Sequence, residues 1–242
     1  MLTQPLLQQL HELRLRGMAA ALEQQLTTQV ANDLTFDERL ALMIQHEIIE
    51  RQSCRLRQRL RWAKLTQAAA LEDLDLKAAR GLDRTALGQV SNLAWITEHL
   101  NVLITGPTGV GKSYIACALA HKACRDGFTV AYRRVSRLYD ELAQARADGT
   151  YLSMLRRLAK VQLLVLDDFG LEPLGAAERK GLLEILEDRY NVTATLVTSQ
   201  LDPKDWHAVI GDATVGDAIC DRLVHGAHRL MLRGESLRKA KA

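Results

Sequence analysis

Apolar side chains at Leu6, Leu10, Leu13, Met18 and Leu22 recur at close to the helical period, which predicts one amphipathic helix over residues 3–28. Thr35-Phe36-Asp37-Glu38 then has the S/T-x-x-E form of a capping box, and a helical pattern without a breaker runs from there to about Leu65. Only two glycines, Gly17 and Gly81, occur in the first 81 residues, so residues 1–75 read as a small all-helical domain for oligomerisation or for DNA or partner contact. From residue 101 the texture changes. NVLIT (101–105), FTVAY (128–132), VQLLVL (161–166) and ATLVT (194–198) are short β-rich runs separated by helical segments or turns. Alternating strands and helices predict an α/β domain over residues 76–242, with a parallel sheet covered on both faces.

Composition narrows the class without naming a function. Apolar residues make up 48% and charged residues 25%, the mix of a globular protein rather than a disordered one. Cys54, Cys117, Cys124 and Cys220 have no C-x-x-C spacing, which predicts reduced thiols. No apolar run reaches the roughly 18 residues of a membrane span, and the N-terminus lacks a signal-peptide pattern, so the expected location is cytoplasmic and no membrane partner is expected.

A net charge of +3 is too small to argue for a polyanionic partner by itself, so clustering matters more. RQSCRLRQRLRWAK (51–64) carries six basic residues and no acid. At about 100° per residue, Arg51, Arg55 and Arg59 share one flank of a helix and Arg57, Arg61 and Lys64 another, with Leu56, Leu60 and Ala63 between them. Such a surface suits a nucleic-acid backbone or an acidic partner, although a packed seam with solvated flanks has the same pattern.

The first strand leads into GPTGVGKS (106–113), the full G-x-x-x-x-G-K-[ST] phosphate loop, followed by an apolar helical stretch. Gly106, Gly109 and Gly111 permit backbone conformations that aim successive N–H groups inward, with Pro107, Thr108, Val110 and Tyr114 completing the nucleotide-binding segment. Lys112 would reach the β- and γ-phosphates, and the Ser113 hydroxyl would ligate Mg²⁺. LLVLDDFG (163–170) ends a buried strand in two acids. Its DFG triplet lacks the G-x-G-x-x-G loop and H-R-D segment a protein kinase needs, so the letters coincide only. Asp167 fits the Mg²⁺-side acid, and Asp168 fits an acid that orients or deprotonates the attacking water. No N-K-x-D motif is present, which favours adenine, so ATP and Mg²⁺ are the expected cofactors.

These motifs, with LHELRLRGMAAAL, VTSQLDPKDWH, IGDATVGDAICDRLVHGAHRL and GESLRK, make the sequence resemble the AAA+ ATPases of the DnaC/DnaA-like clade, and more specifically the IstB-type helper ATPases of bacterial insertion sequences. The resemblance covers nearly the whole chain. It implies a P-loop AAA+ core with a five-stranded parallel sheet in the order 5-1-4-3-2. It places the sensor-1 polar residue at Ser199 or Gln200, an arginine finger at Arg222, and a sensor-2 arginine at Arg238. The finger would act in trans on ATP held by a neighbouring subunit, making Asp168, Arg222 and Lys112 the catalytic set and the protein a homo-oligomer.

Two departures from the wider AAA+ pattern matter. Asp168 stands where most members carry glutamate, so hydrolysis is expected to be slow or to depend on assembly. Four residues follow Arg238 in the sequence, so the usual C-terminal helical lid is not expected. In the clade the segment between the second and third strands lines the nucleic-acid path, so the resemblance implies phosphate contacts by Arg133, Arg134, Arg137, Arg156 and Arg157. No recognition helix with base-reading side chains is visible, so binding should tolerate sequence and respond to salt.

The expected function is that of an ATP-dependent helper of transposition. It would assemble on double-stranded DNA and recruit or activate the transposase of the same element. A DnaC-like helicase loader acting on single strands, and a nucleotide-gated DNA scaffold with little hydrolysis, are the alternatives.

Overall fold

The structure is a computed structural model that describes residues 3–28, 33–75 and 81–237. The chain forms two compact units, Met1–Gln58 and Arg59–Ala242.

In the first unit two helices, α1 (Thr3–Glu12) and α2 (Arg16–Thr27), replace the single helix expected over residues 3–28. Arg14 adopts a left-handed conformation (φ 59°), while Leu15 N donates to Leu10 O (2.8 Å) and Arg14 N to His11 O (2.9 Å). That pairing is a Schellman stop, and Leu15 joins the small core of Leu10, Ala19 and Leu22. Apolar spacing runs on through the break, and arginine stands where glycine would have signalled it. The next helix, α3 (Phe36–Ala63), begins at the expected capping box: Thr35 N donates to Glu38 Oε2 (2.8 Å), and Glu38 N to Thr35 Oγ1 (3.4 Å).

Gly17 lets α2 approach α3 closely, because a Cβ there would stand 2.5 Å from His46 O. The Gly17 and Met18 amides donate to the buried Glu47 carboxylate (2.8 and 3.2 Å), which also pairs with Arg51 Nε (2.6 Å). Burial alone would raise the Glu47 pKa, but the hydrogen bonds from Arg51, Met18 and Gly17 outweigh it and hold the carboxyl below its ordinary value.

In the second unit the last turn of α3 is followed by a 3-10 turn at Leu71–Asp73, then α4 (Arg84–Ser91) and the short α5 (Ala94–Thr97). The alternating part then runs β1 (Val102–Thr105), α6 (Lys112–Arg125), β2 (Val130–Arg134), α7 (Val135–Ala147), α8 (Tyr151–Lys160), β3 (Leu163–Phe169), α9 (Ala176–Arg189), β4 (Ala194–Ser199), α10 (Trp206–Ile210), α11 (Ala213–Val224) and β5 (His228–Met231). All five strands are parallel, in the order β2-β3-β4-β1-β5, which is the expected order read from the other edge.

Period-two alternation divides the strand side chains between two cores. Leu103, Ala131, Leu164, Leu166 and Val197 join the core built with α7 to α11. Val102, Ile104, Tyr132, Val165 and Leu196 fall on the opposite face, where α6 crosses the sheet.

The N-terminal ends of the strands are tied by two side chains. Asn101 Nδ2 donates to Arg222 O (2.8 Å), and its Oδ1 accepts from Thr195 N (2.9 Å). Arg189 is 1% exposed and donates to Leu158 O (2.5 Å), Val161 O (2.8 Å), Thr195 Oγ1 (3.2 Å) and Ala194 O. It joins the end of α8 to the start of β4.

Candidate nucleotide-binding site

Because β4 lies between β1 and β3, the loop after β1 and the acids ending β3 flank the last residues of β4. This is the carboxyl edge of a parallel sheet, where ligands of such folds bind. Gly106 (φ 144°) and Gly109 (φ 86°) adopt conformations an L side chain resists. Each also lacks space for a Cβ, which would collide with Leu232 O and with the Ser236 side chain respectively. The segment after β5 therefore lies against the loop, with Leu232 N donating to Thr105 O (2.8 Å) and Leu237 N to Gly109 O (3.0 Å). Arg238, the next residue, lies outside the described residues.

Pro107 and Thr108 are exposed at the loop tip, Val110 is buried beneath it, and Tyr114 is half-buried on α6. Lys112 opens α6 and is 6% exposed. Its Nζ donates to Gly106 O (2.7 Å) and Pro107 O (2.8 Å), and it forms no salt bridge among the described residues. Burial lowers its pKa, opposed by the charges of Asp168 and Asp167. A buried ammonium resting on loop carbonyls can exchange them for phosphate oxygens, so the residues fit a nucleotide.

The two acids differ sharply. Asp167 is fully buried and saturated with donors: Ser113 Oγ (2.8 Å) and Thr198 Oγ1 (2.6 Å) on Oδ1, and the Tyr132 phenol on Oδ2. The Ser113–Asp167 bond joins the phosphate loop to the acidic strand, and both groups are hard oxygen donors suited to Mg²⁺. Asp168 sits in the β-bulge between Leu166 and Phe169, with φ 62°. Its backbone N–H donates to Thr198 Oγ1 (3.0 Å), and its half-buried carboxylate lies 3.6 Å from Arg134 Nε. The bulge turns adjacent carboxylates in different directions, one into the sheet end and one outward.

Of the two residues proposed for sensor 1, Ser199 is committed to packing. Its hydroxyl donates to Phe169 O (2.8 Å) and accepts from Leu201 N (3.1 Å) and Trp206 Nε1 (3.3 Å). Gln200 is exposed at the strand end. Sequence reasoning missed Thr198, which touches both acids, and Tyr132. The available signal was a threonine inside a fully buried strand, since a buried hydroxyl must find a partner.

Arg222 lies near the end of α11, at the sheet's opposite edge. It donates to Ala218 O (2.8 Å) and Glu187 Oε1 (3.1 Å) and stands 5.9 Å from the Tyr190 ring centroid, while its buried Nε has no hydrogen-bond partner among the described residues. The basic residues are scattered. In the first unit Arg51 pairs with Glu47, and Arg55 is exposed. In the second, Arg59 donates to Cys124 O (3.1 Å), Arg133 pairs with Glu141 (3.0 Å), and Arg137, Arg156 and Arg157 are exposed on α7 and α8.

A parallel sheet in this order, with a phosphate loop after β1 and paired acids ending β3, defines a P-loop core of the AAA+ class. The profile of the IstB-like ATP-binding proteins matches residues 8–242, and the chain belongs to that family. An insertion-sequence ATP-binding protein of Sinorhizobium fredii, y4pL, is 49% identical over 239 residues, covering 99% of this chain and 98% of that protein. The insertion sequence IS1162 ATP-binding protein of Pseudomonas fluorescens is 46% identical over 202 residues, covering 83% and 87% respectively. AMPPCP-bound DnaA from Aquifex aeolicus shares the fold, with a TM-score of 0.60 at 19% identity over 74% of this chain and 56% of that one. No described helix is long and apolar enough to cross a membrane.

Proposed function

We propose that this protein is an ATP-hydrolysing helper of transposition that assembles on double-stranded DNA and delivers or activates the transposase of its element. The observation that carries the reading is the Ser113–Asp167 bond at 2.8 Å, which couples phosphate loop and acidic strand in a chain whose relatives are insertion-sequence ATP-binding proteins.

Lys112 would leave its two carbonyls for the β- and γ-phosphates, and Ser113 and Asp167 would hold Mg²⁺ at the same edge. Bound Mg²⁺ supplies charge neutralisation on the phosphate oxygens. Asp168 accepts the proton of, or orients, the attacking water. Gln200 is the available sensor-1 side chain, since the Ser199 hydroxyl is saturated. Arg222 serves as the trans finger after exchanging Glu187 for a neighbouring subunit's phosphate. Arg238 is assigned to sensor 2 on the sequence resemblance alone.

DNA enters through the basic residues, Arg51, Arg55, Arg59, Arg133, Arg134, Arg137, Arg156 and Arg157. Arg134 is the informative one because it pairs with Asp168. A DNA phosphate that draws Arg134 away changes the charge beside Asp168, which makes hydrolysis depend on DNA. The decisive experiment is ATP turnover measured alone, with duplex DNA and with single strands. Stimulation by duplex is expected. Stimulation by single strands only would favour helicase loading, and no turnover under any condition would leave a nucleotide-gated scaffold.

A further inference from the structure

Tyr132 lies on β2, whose partner β3 carries the acids, in a register that pairs Arg134 with Asp167. Alternation sends its ring to the α6 face of the sheet, where it is 3% exposed. Filling that space needs only a ring, and phenylalanine would do it. The phenol adds a hydroxyl that must find a partner when buried, and it donates to Asp167 Oδ2. The other carboxylate oxygen already accepts from Ser113 and Thr198. The Asp167 carboxylate is therefore hydrogen-bonded at both oxygens.

We propose that Tyr132 is a positioning residue for the metal-side acid. The inference rests on the reading of Asp167 as the Mg²⁺-side acid. Groups that orient a metal-binding carboxylate through its free oxygen commonly govern metal affinity without touching the metal.

The test is equilibrium binding of a fluorescent ATP analogue to the full chain, in EDTA and across a Mg²⁺ titration. The wild-type protein should bind the analogue more tightly with Mg²⁺. Tyr132→Phe should keep the affinity measured in EDTA while the Mg²⁺ concentration for half-effect rises roughly ten- to a hundred-fold, the range seen for outer-shell partners of metal ligands. An unchanged Mg²⁺ requirement in Tyr132→Phe overturns the inference while leaving the nucleotide site intact. If Tyr132→Phe does not fold, Tyr132→Met decides by the same titration: a raised Mg²⁺ requirement supports the inference, and an unchanged one overturns it. A wild-type protein whose affinity ignores Mg²⁺ overturns the metal reading of Asp167 as well.

Discussion

Two buried cations sit at opposite ends of the same sheet, and their partners separate structure from function. Arg189, at the N-terminal edge, is 1% exposed and donates to three carbonyls besides the Thr195 hydroxyl. Lys112, at the carboxyl edge, is 6% exposed and also rests on carbonyls, those of Gly106 and Pro107. Arg189 has every nitrogen engaged by fixed elements. Lys112 has two of its three donors on a glycine loop, with two carboxylates close enough to raise its pKa against burial. Burial of a charge is therefore not what marks the site. An incomplete, exchangeable set of partners is. Arg222 falls between the two, with one ion pair, one carbonyl and a buried Nε that has no hydrogen-bond partner among the described residues.

Exchanging the two roles breaks the comparison most severely. Lys112→Ala should weaken ATP binding by about a hundredfold or more, since each charge-assisted hydrogen bond to phosphate is worth roughly 1.5–3 kcal/mol. Its unfolding free energy should stay within about 1 kcal/mol of wild type, because the lost bonds are offset by relief of a buried charge. Arg189→Met should do the reverse. Four acceptors lose their donor, so stability should fall by about 3 kcal/mol or more in denaturant titration. The residual folded protein should still bind nucleotide. Equal losses of stability in the two variants would erase the distinction drawn between them.

Arg222→Ala sharpens the intermediate case. Nucleotide affinity should be retained while turnover that depends on assembly falls by about a thousandfold, the scale of an arginine finger. Unchanged turnover would return Arg222 to the structural group with Arg189.

The smallest effect is expected in the first unit, where Glu47 caps α2 within the structure's helical part. Its folded pKa lies below the unfolded value, so its contribution is fully present above about pH 4.3 and is lost as pH falls through the lower folded pKa. Glu47→Gln should flatten the acid limb of the stability curve, measured by thermal unfolding between neutral and acidic pH. An acid limb identical to wild type would remove Glu47 from the account of that unit.

The sequence made the nucleotide-binding edge easier to read than its supports. The G-x-x-x-x-G-K-S string and the LLVLDD strand end specify their own chemistry, because phosphate and metal demand particular atoms at particular spacings. Four strands were legible as β-branched apolar runs, although β2 begins at Val130 rather than at Phe128. The fifth, His228–Met231, is a partly exposed edge strand with two polar residues, so hydrophobicity could not reveal it, and only the family resemblance supplied it. The break after α1 depends on one arginine in a left-handed conformation, which composition does not encode. Thr198 and Tyr132 were invisible for a related reason. Each matters through a partner on a neighbouring strand, and that juxtaposition exists only once the sheet order is fixed.

The central claim is a division of labour between adjacent aspartates, with Asp167 turned inward to the metal and Asp168 turned outward by the bulge to the water. The most direct measurement is single-turnover ATP hydrolysis by Asp168→Asn, paired with ATP binding and duplex-DNA assembly of the same variant. The account predicts that binding and assembly persist while hydrolysis is lost. Hydrolysis at the wild-type rate would contradict it and leave Asp168 as a residue of the turn.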